Sequence, residues 1–297
     1  MSFKNVIVVG GGGNLSPAII DALVKSPHNY TVSVLSREQS TYQAPSGVKH
    51  LKTDYTHDSL VSALKGQDAV ISAIAGFAIA DQKKIIDAAI EVGVKRFFPS
   101  EFGSDTTTSL ALDYFPGWAP KVEIRDYLKS KEDKIEWTVV FNNFFFDWGL
   151  KVGFIAFNAK DKTATIFPKY KDVTFSATNL GDVGNAVAQA LSPEIAPKTA
   201  NQILRIRTLT TSQSELLAAF EKATGEKFTV TEADLDAEVS EAKEKLSKGD
   251  FSGVGTLIVA AALDERTGND FDKAGNVSNE LLQLPSLQVE GAIKALL

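Results

Sequence analysis

The sequence predicts a doubly wound α/β fold, a parallel sheet with helices on both faces, and three observations carry that expectation. Short β-branched apolar runs alternate with segments whose apolar residues recur at helical spacing from Val6 to about residue 150. The first apolar run breaks into four consecutive glycines, after which a helical pattern opens at once. The chain of 297 residues is 44% hydrophobic, enough for a large core, and its formal net charge of −6 is spread over interspersed acids and bases.

The first strand, Val6 to Val9, runs into Gly10-Gly11-Gly12-Gly13-Asn14-Leu15-Ser16 and a helix from Leu15 to Lys25. Gly10 suits a turn at positive φ, and Gly13 lets the backbone approach a pyrophosphate lying on the helix N-terminus. Gly10, Gly12, Gly13, Asn14 and Leu15 are therefore the expected dinucleotide contacts. The spacing from Gly10 is G-x-x-G-x-x-S, with Ser16 at the third position, while Gly12 keeps the G-x-G spacing open as well.

A second strand, Tyr30 to Leu35, ends in Ser36-Arg37, where a chain of this type meets the adenosine ribose. A carboxylate there accepts the 2′-hydroxyl of NAD, whereas an arginine pairs with the 2′-phosphate of NADP. Arg37 thus predicts NADPH as the cofactor. Val48 to Lys52 makes a third strand, and Asp58 is the expected N-cap of the next helix. The fourth strand, Asp68 to Gly76, breaks at small residues, Ala73 among them, that leave room for a cofactor. A helix from Ala80 to Val92 leads to the fifth strand, which runs from Val94 into a loop containing Ser100.

Pro120 opens a helix reaching Lys131, and Ile135 to Phe141 forms a sixth strand. The run from Asn142 to Gly149 follows at the crevice side of that strand. Such an aromatic cluster is either ordinary core or the wall of an aromatic substrate pocket, and in the second case Asn142, Phe144 and Phe77 are the expected lining residues. Beyond Gly153 the alternation loosens into shorter strands and helices, so residues 1–152 read as the dinucleotide-binding domain. Residues 153–297 read as a smaller mixed α/β substrate-binding region, some of whose elements return to the first.

Several function classes are disfavoured by the same residues. No basic stripe exists to neutralise a phosphate backbone, which argues against nucleic acid as a partner. With no cysteine there is no disulfide or thiolate nucleophile, and no second histidine stands at metal-ligand spacing from His28, His50 or His57, so no metal is expected. A strand starting within a few residues of Met1 leaves no room for a signal region, and no apolar run is long enough to span a bilayer. A cytoplasmic monomer or homodimer acting on a small molecule is the expectation.

The glycine loop, Ser36-Arg37 and above all Lys95-Arg96-Phe97-Phe98-Pro99-Ser100-Glu101-Phe102-Gly103 resemble the isoflavone reductase and NmrA-like family of atypical short-chain dehydrogenases. The likeness is strongest from Val6 to Gly149. Its plant reductases, among them phenylcoumaran benzylic ether and pinoresinol-type reductases, use NADPH and a lysine on the helix before the sixth strand. In this chain that place is held by Lys121, with Arg125 four residues on. The resemblance implies a hydride transfer to a small aromatic, quinone-methide or conjugated carbonyl metabolite, with Lys121 as general acid or base or as phenolate stabiliser. Two positions depart from the family pattern: Ser16 replaces a glycine and Asp126 replaces a second basic residue. Tyr127 and Lys131 match the Tyr-x-x-x-Lys spacing of ordinary short-chain dehydrogenases but lie at the wrong end of the helix. A dinucleotide-sensing regulator without turnover is the alternative implied by the same family.

Overall fold

The computed structural model describes residues 2–74 and 76–296, and the side chain of Phe77 lies outside the described residues. Its first half builds β1 (Asn5–Val9), α1 (Ser16–Lys25), β2 (Thr31–Arg37), β3 (Lys49–Thr53), α2 (His57–Leu64), β4 (Ala69–Ser72), α3 (Gln82–Glu91), β5 (Arg96–Phe98), α4 (Ser109–Tyr114), α5 (Ala119–Lys129) and β6 (Glu136–Phe141). The second half adds the two-residue strand β7 (Phe144–Phe145), α6 (Phe146–Val152), β8 (Phe157–Asn158), β9 (Thr163–Ile166), β10 (Phe175–Thr178), α7 (Leu180–Ala190), α8 (Ala196–Thr199) and β11 (Gln202–Arg205). It finishes with β12 (Leu209–Thr211), α9 (Gln213–Thr224), β13 (Thr229–Glu232), α10 (Leu235–Ser247), α11 (Val254–Ala262) and α12 (Val289–Lys294).

Seven strands form one parallel sheet in the order β11-β6-β5-β4-β1-β2-β3. Because a strand alternates its side chains, Ile7, Val9, Leu35, Val70 and Phe97 face one layer, where they meet Leu60, Ile85 and Ile124 of α2, α3 and α5. Val6, Val8, Val34, Ile71 and Phe98 face the other, against Ile19, Ile20 and Leu23 of α1 and Val183 and Val187 of α7. Burial on both faces explains why these strands read as unbroken apolar runs. Strand order reverses at the β1–β4 junction, the place where such sheets open a ligand crevice beyond their carboxyl ends.

Elements of the second half complete this sheet. β11 pairs with β6, setting Gln202 opposite Thr138 and Arg205 opposite Phe141, and α7 lies on α1 so closely that a Cβ at Gly184 would stand 2.3 Å from the Ala18 carbonyl oxygen. Arg96, 1% exposed, joins β5 to β6 and α8: it donates to the Glu136 carboxylate at 2.6 and 3.0 Å, to Thr138 and Thr199, and to the Ala196 carbonyl. Two three-stranded sheets, β12-β10-β7 and β13-β9-β8, enclose a separate aromatic core around Phe144, Phe146, Phe157, Phe175 and Phe220.

Several boundaries differ from the sequence expectation. The N-cap of α2 is Thr56, not Asp58, which instead lies in the first turn, where a carboxylate still suits the positive helix end. The Thr56 hydroxyl donates to Asp54 at 2.7 Å and makes no cap bond. β4 stops at Ser72, short of Gly76, because the chain turns there into a 3-10 segment, Gly76–Asp81. Strands β7, β12 and β13, of two to four residues, are too short for their periodicity to stand out. Among the described residues no helix is long and apolar enough to cross a membrane.

Candidate active site

The carboxyl end of β1 meets the start of α1 through the glycine loop. Gly10 has φ +96°, a conformation that L side chains avoid, and a Cβ there would lie 3.0 Å from the Ala73 carbonyl oxygen at the end of β4. Gly11 is closed in by Val34 and the Tyr42 ring, at 2.6 and 2.7 Å from an added Cβ. Gly13 is different. It is exposed, its φ is not positive, and an added Cβ would meet only the Ser16 hydroxyl at 3.6 Å and backbone oxygens at 3.8 and 4.0 Å. The protein's own packing leaves that space open.

Ser16, the departure from the glycine pattern, is buried and donates its hydroxyl to the Gly10 carbonyl at 2.6 Å, which ties the loop to its helix. α1 has no side-chain cap, and the N–H groups of Gly12, Asn14 and Leu15 donate to no acceptor among the described residues. Unpartnered donors on a helix N-terminus form an anion cradle, so the residues present fit a dinucleotide pyrophosphate. At the end of β2, Arg37 is exposed and free of any ion pair among the described residues, while Ser36 is buried with its hydroxyl 2.7 Å from His50 Nε2. Ser100 is half-buried between β5 and its neighbours; its N–H donates to Gln82 at 2.8 Å and its hydroxyl to the Ile74 carbonyl.

Further along the same edge of the sheet, the loop after β5 is fastened by buried charges. Arg125 donates to the Glu101 carboxylate at 2.8 Å, to the Thr106 hydroxyl at 2.7 Å and to the Thr106 carbonyl at 3.0 Å. Asp105, 4% exposed, pairs with Arg205 of β11 at 2.6 Å, and both arginines lie near the Phe141 ring. Against this loop Lys121, in the first turn of α5, donates its Nζ to the main-chain carbonyl of Glu101 at 3.1 Å. Burial holds the Lys121 ammonium below the ordinary lysine range, opposed by the Glu101 charge and assisted by that of Arg125; burial raises the Glu101 carboxyl.

Lys121 opens into a cavity of about 250 Å³, lined by Phe102, Gly103, Ser104, Trp118, Asn143, Phe144, Phe145, Trp148, Phe154 and Ile258. A larger, more open depression of about 540 Å³ shares Trp148 but does not reach Lys121. Phe144 lines the cavity and is also core, edge-on to Phe175 at 5.4 Å and to Phe154 at 6.3 Å. Asn142, by contrast, is fully enclosed and does not line it: Asn143, at φ +49°, turns the chain between β6 and β7 and takes the lining position. Its amide donates to the Ser176 carbonyl at 2.8 Å. Trp148, within the aromatic run from Asn142 to Gly149, also lines the cavity, as does Trp118, three residues before Lys121, which nothing in the sequence singled out. Tyr127 lies elsewhere, donating to Asp87 with Lys131 5.3 Å from its ring centre.

The model of the NmrA-like family matches residues 2–268. The chain belongs to the NmrA-like family. It is 38% identical over 296 residues to oxidoreductase aprR of Aspergillus flavus, covering 98% of each chain. It is 34% identical over 264 residues to a phenylcoumaran benzylic ether reductase of Betula pendula, covering 80% of this chain and 81% of that one. A leucoanthocyanidin reductase of Vitis vinifera, solved as a binary complex with NADPH, has the same fold, with a TM-score of 0.78 at 18% identity over 99% of both chains. The isoflavone reductase-like character read from the loop after β5 is therefore a property of nearly the whole NmrA-like chain.

Proposed function

We propose that this NmrA-like protein is an NADPH-dependent oxidoreductase that reduces a small aromatic, quinone-methide or conjugated carbonyl metabolite. The observation that carries the reading is the placement of one lysine at the floor of an aromatic cavity, on the same sheet edge as the glycine cradle. Relatives named as reductases of aromatic compounds support the same class of substrate.

The N–H groups of the Gly10–Leu15 loop would hold the pyrophosphate, and Arg37 the 2′-phosphate. When bound, NADPH supplies the hydride to an electron-poor carbon. Phe102, Phe144, Trp148 and Phe154 hold the substrate ring and exclude water, which strengthens every charge interaction inside. Lys121 delivers or accepts the accompanying proton, or stabilises the negative charge that develops on a phenolate or enolate oxygen. Phe154 and Ile258 come from the second half of the chain, so residues 153–297 contribute part of the cavity lining.

A panel of phenolic, quinone and enone acceptors assayed for NADPH consumption tests the reading. Lys121→Ala should lower kcat by roughly a hundredfold or more and leave NADPH affinity little changed, whereas Lys131→Ala should leave the rate untouched. Activity that depends on Tyr127 or Lys131 and not on Lys121 would overturn the assignment, and tight NADPH binding with no acceptor ever reduced would favour a sensor.

A further inference from the structure

Three charged groups share one buried corner of the molecule. Glu101 is fully buried and Arg125 is 4% exposed, 2.8 Å apart; Lys121, one helical turn before Arg125, donates to the backbone carbonyl of the same Glu101. Arginine stays protonated in proteins, so the Glu101 carboxylate is paired with the Arg125 charge. Arg125 spends its donors on Glu101 and Thr106, and Thr106 donates back to the second Glu101 oxygen at 3.3 Å. Among the described residues, those that line the cavity beside Lys121 (Gly103, Ser104, Trp118, Asn143, Trp148, Ile258 and phenylalanines) carry no charge. Lys121 makes no direct ion pair among the described residues; a neutral carbonyl holds its Nζ, and the Glu101 carboxylate is the charge that favours its proton.

We propose that the Glu101–Arg125 ion pair is the positioning and charge-balancing device of Lys121, holding that side chain at the cavity floor and setting whether it is charged. The proposal rests on the reading of Lys121 as the proton-handling residue and adds two residues that touch neither substrate nor cofactor. Glu101 favours a proton on Lys121 and Arg125 opposes it, so each half of the pair offsets the other, while burial holds the ammonium below the ordinary lysine range. Removing either half breaks this balance in opposite senses. Arg125→Met leaves a bare carboxylate beside Lys121, which holds the proton more tightly. Glu101→Gln leaves a bare guanidinium, which expels it.

The test is the proton affinity of Lys121 itself, read by competitive acetylation with acetic anhydride across pH and mass spectrometry of the peptide that contains it. This measurement needs no turnover, so it stands apart from the fate of the reductase reading. Relative to the parent, the titration midpoint of Lys121 should rise by roughly one pH unit or more in Arg125→Met and fall by a similar amount in Glu101→Gln. The double variant Glu101→Gln/Arg125→Met restores neutrality with similar side-chain volumes, and its midpoint should return close to that of the parent. It also serves if a single variant fails to fold. Where an acceptor is turned over, the pH–rate profile should shift in the same two directions. A merely structural pair would lower the melting temperature of both single variants and move both midpoints in the same direction, toward that of an exposed lysine; that outcome, or a double variant no closer to the parent than either single one, would overturn the proposal.

Discussion

Replacing Gly13 by valine separates what the fold needs at the glycine loop from what a ligand needs. A Cβ at Gly13 finds nothing nearer than 3.6 Å, the residue is exposed, and its backbone has no positive φ to strain, so the substitution should leave the melting temperature within about 1 °C of the parent. The dinucleotide is another matter. A branched side chain would stand over the N–H groups of Gly12, Asn14 and Leu15, which have no acceptor among the described residues, and would keep a pyrophosphate from reaching them. A charge-assisted hydrogen bond to phosphate contributes about 1.5 to 3 kcal/mol, so preventing even one should weaken NADPH binding by roughly tenfold to a hundredfold. Gly11→Val makes the control: its Cβ would collide with Val34 at 2.6 Å and Tyr42 at 2.7 Å, so that variant should lose stability as well as affinity. Titration calorimetry with NADPH, run beside thermal unfolding, reads both quantities. If Gly13→Val bound the cofactor as tightly as the parent, the pyrophosphate would not lie on this helix.

Other consequences are equally direct. Arg37→Ala should remove most of a preference for NADPH over NADH, and equal affinities in the parent, measured by the same titrations, would dismiss the 2′-phosphate contact. Phe144→Ala should cost about 3 to 5 kcal/mol, roughly 5 to 8 °C in a chain of 297 residues, because the ring belongs to the core; KM for an aromatic acceptor should rise too, and an unchanged KM would confine Phe144 to packing. His57 is bonded to Asp58 at 3.0 Å and Glu91 at 2.7 Å, and donating to the Asp58 carboxylate, then to that of Glu91, raises its pKa above the ordinary value. A raised folded pKa gives stability that is complete below the unfolded pKa of about 6.5 and lost as pH climbs through the folded value. His57→Gln should therefore flatten the melting temperature over that window, and an unaltered pH profile would show the bonds to be solvated away.

The parts of this molecule that the sequence exposes are those governed by short-range rules. β1, β2, β4 and β5 are buried on both sides and announce themselves as apolar runs, and the glycine loop stands where a strand must turn into a helix. Lys121 became visible through a resemblance, since nothing in a single lysine on a helix marks it out from a solvated one. What stayed hidden depends on pairs far apart in the chain. Arg96 sits in a strand read as apolar and is satisfied by Thr199, 103 residues away; Asp105 and Arg205 are 100 residues apart. Asn142 and Asn143 show the finer limit. Which of two adjacent asparagines faces a cavity is decided by one left-handed residue, and composition carries no sign of it.

The close approach of Gly184 to the Ala18 carbonyl also bears on how the protein is made. A ribosome delivers α1 well before α7, so the Ala18–Ala22 face of α1, on which Gly184 lies, acquires its cover only when α7 emerges, and the sheet acquires its edge strand only with β11. At roughly 5 to 20 residues per second, about 160 residues separate α1 from α7 and leave its apolar face waiting for some 10 to 30 seconds. During synthesis the glycine loop and its helix are therefore translated long before the helix that closes over α1.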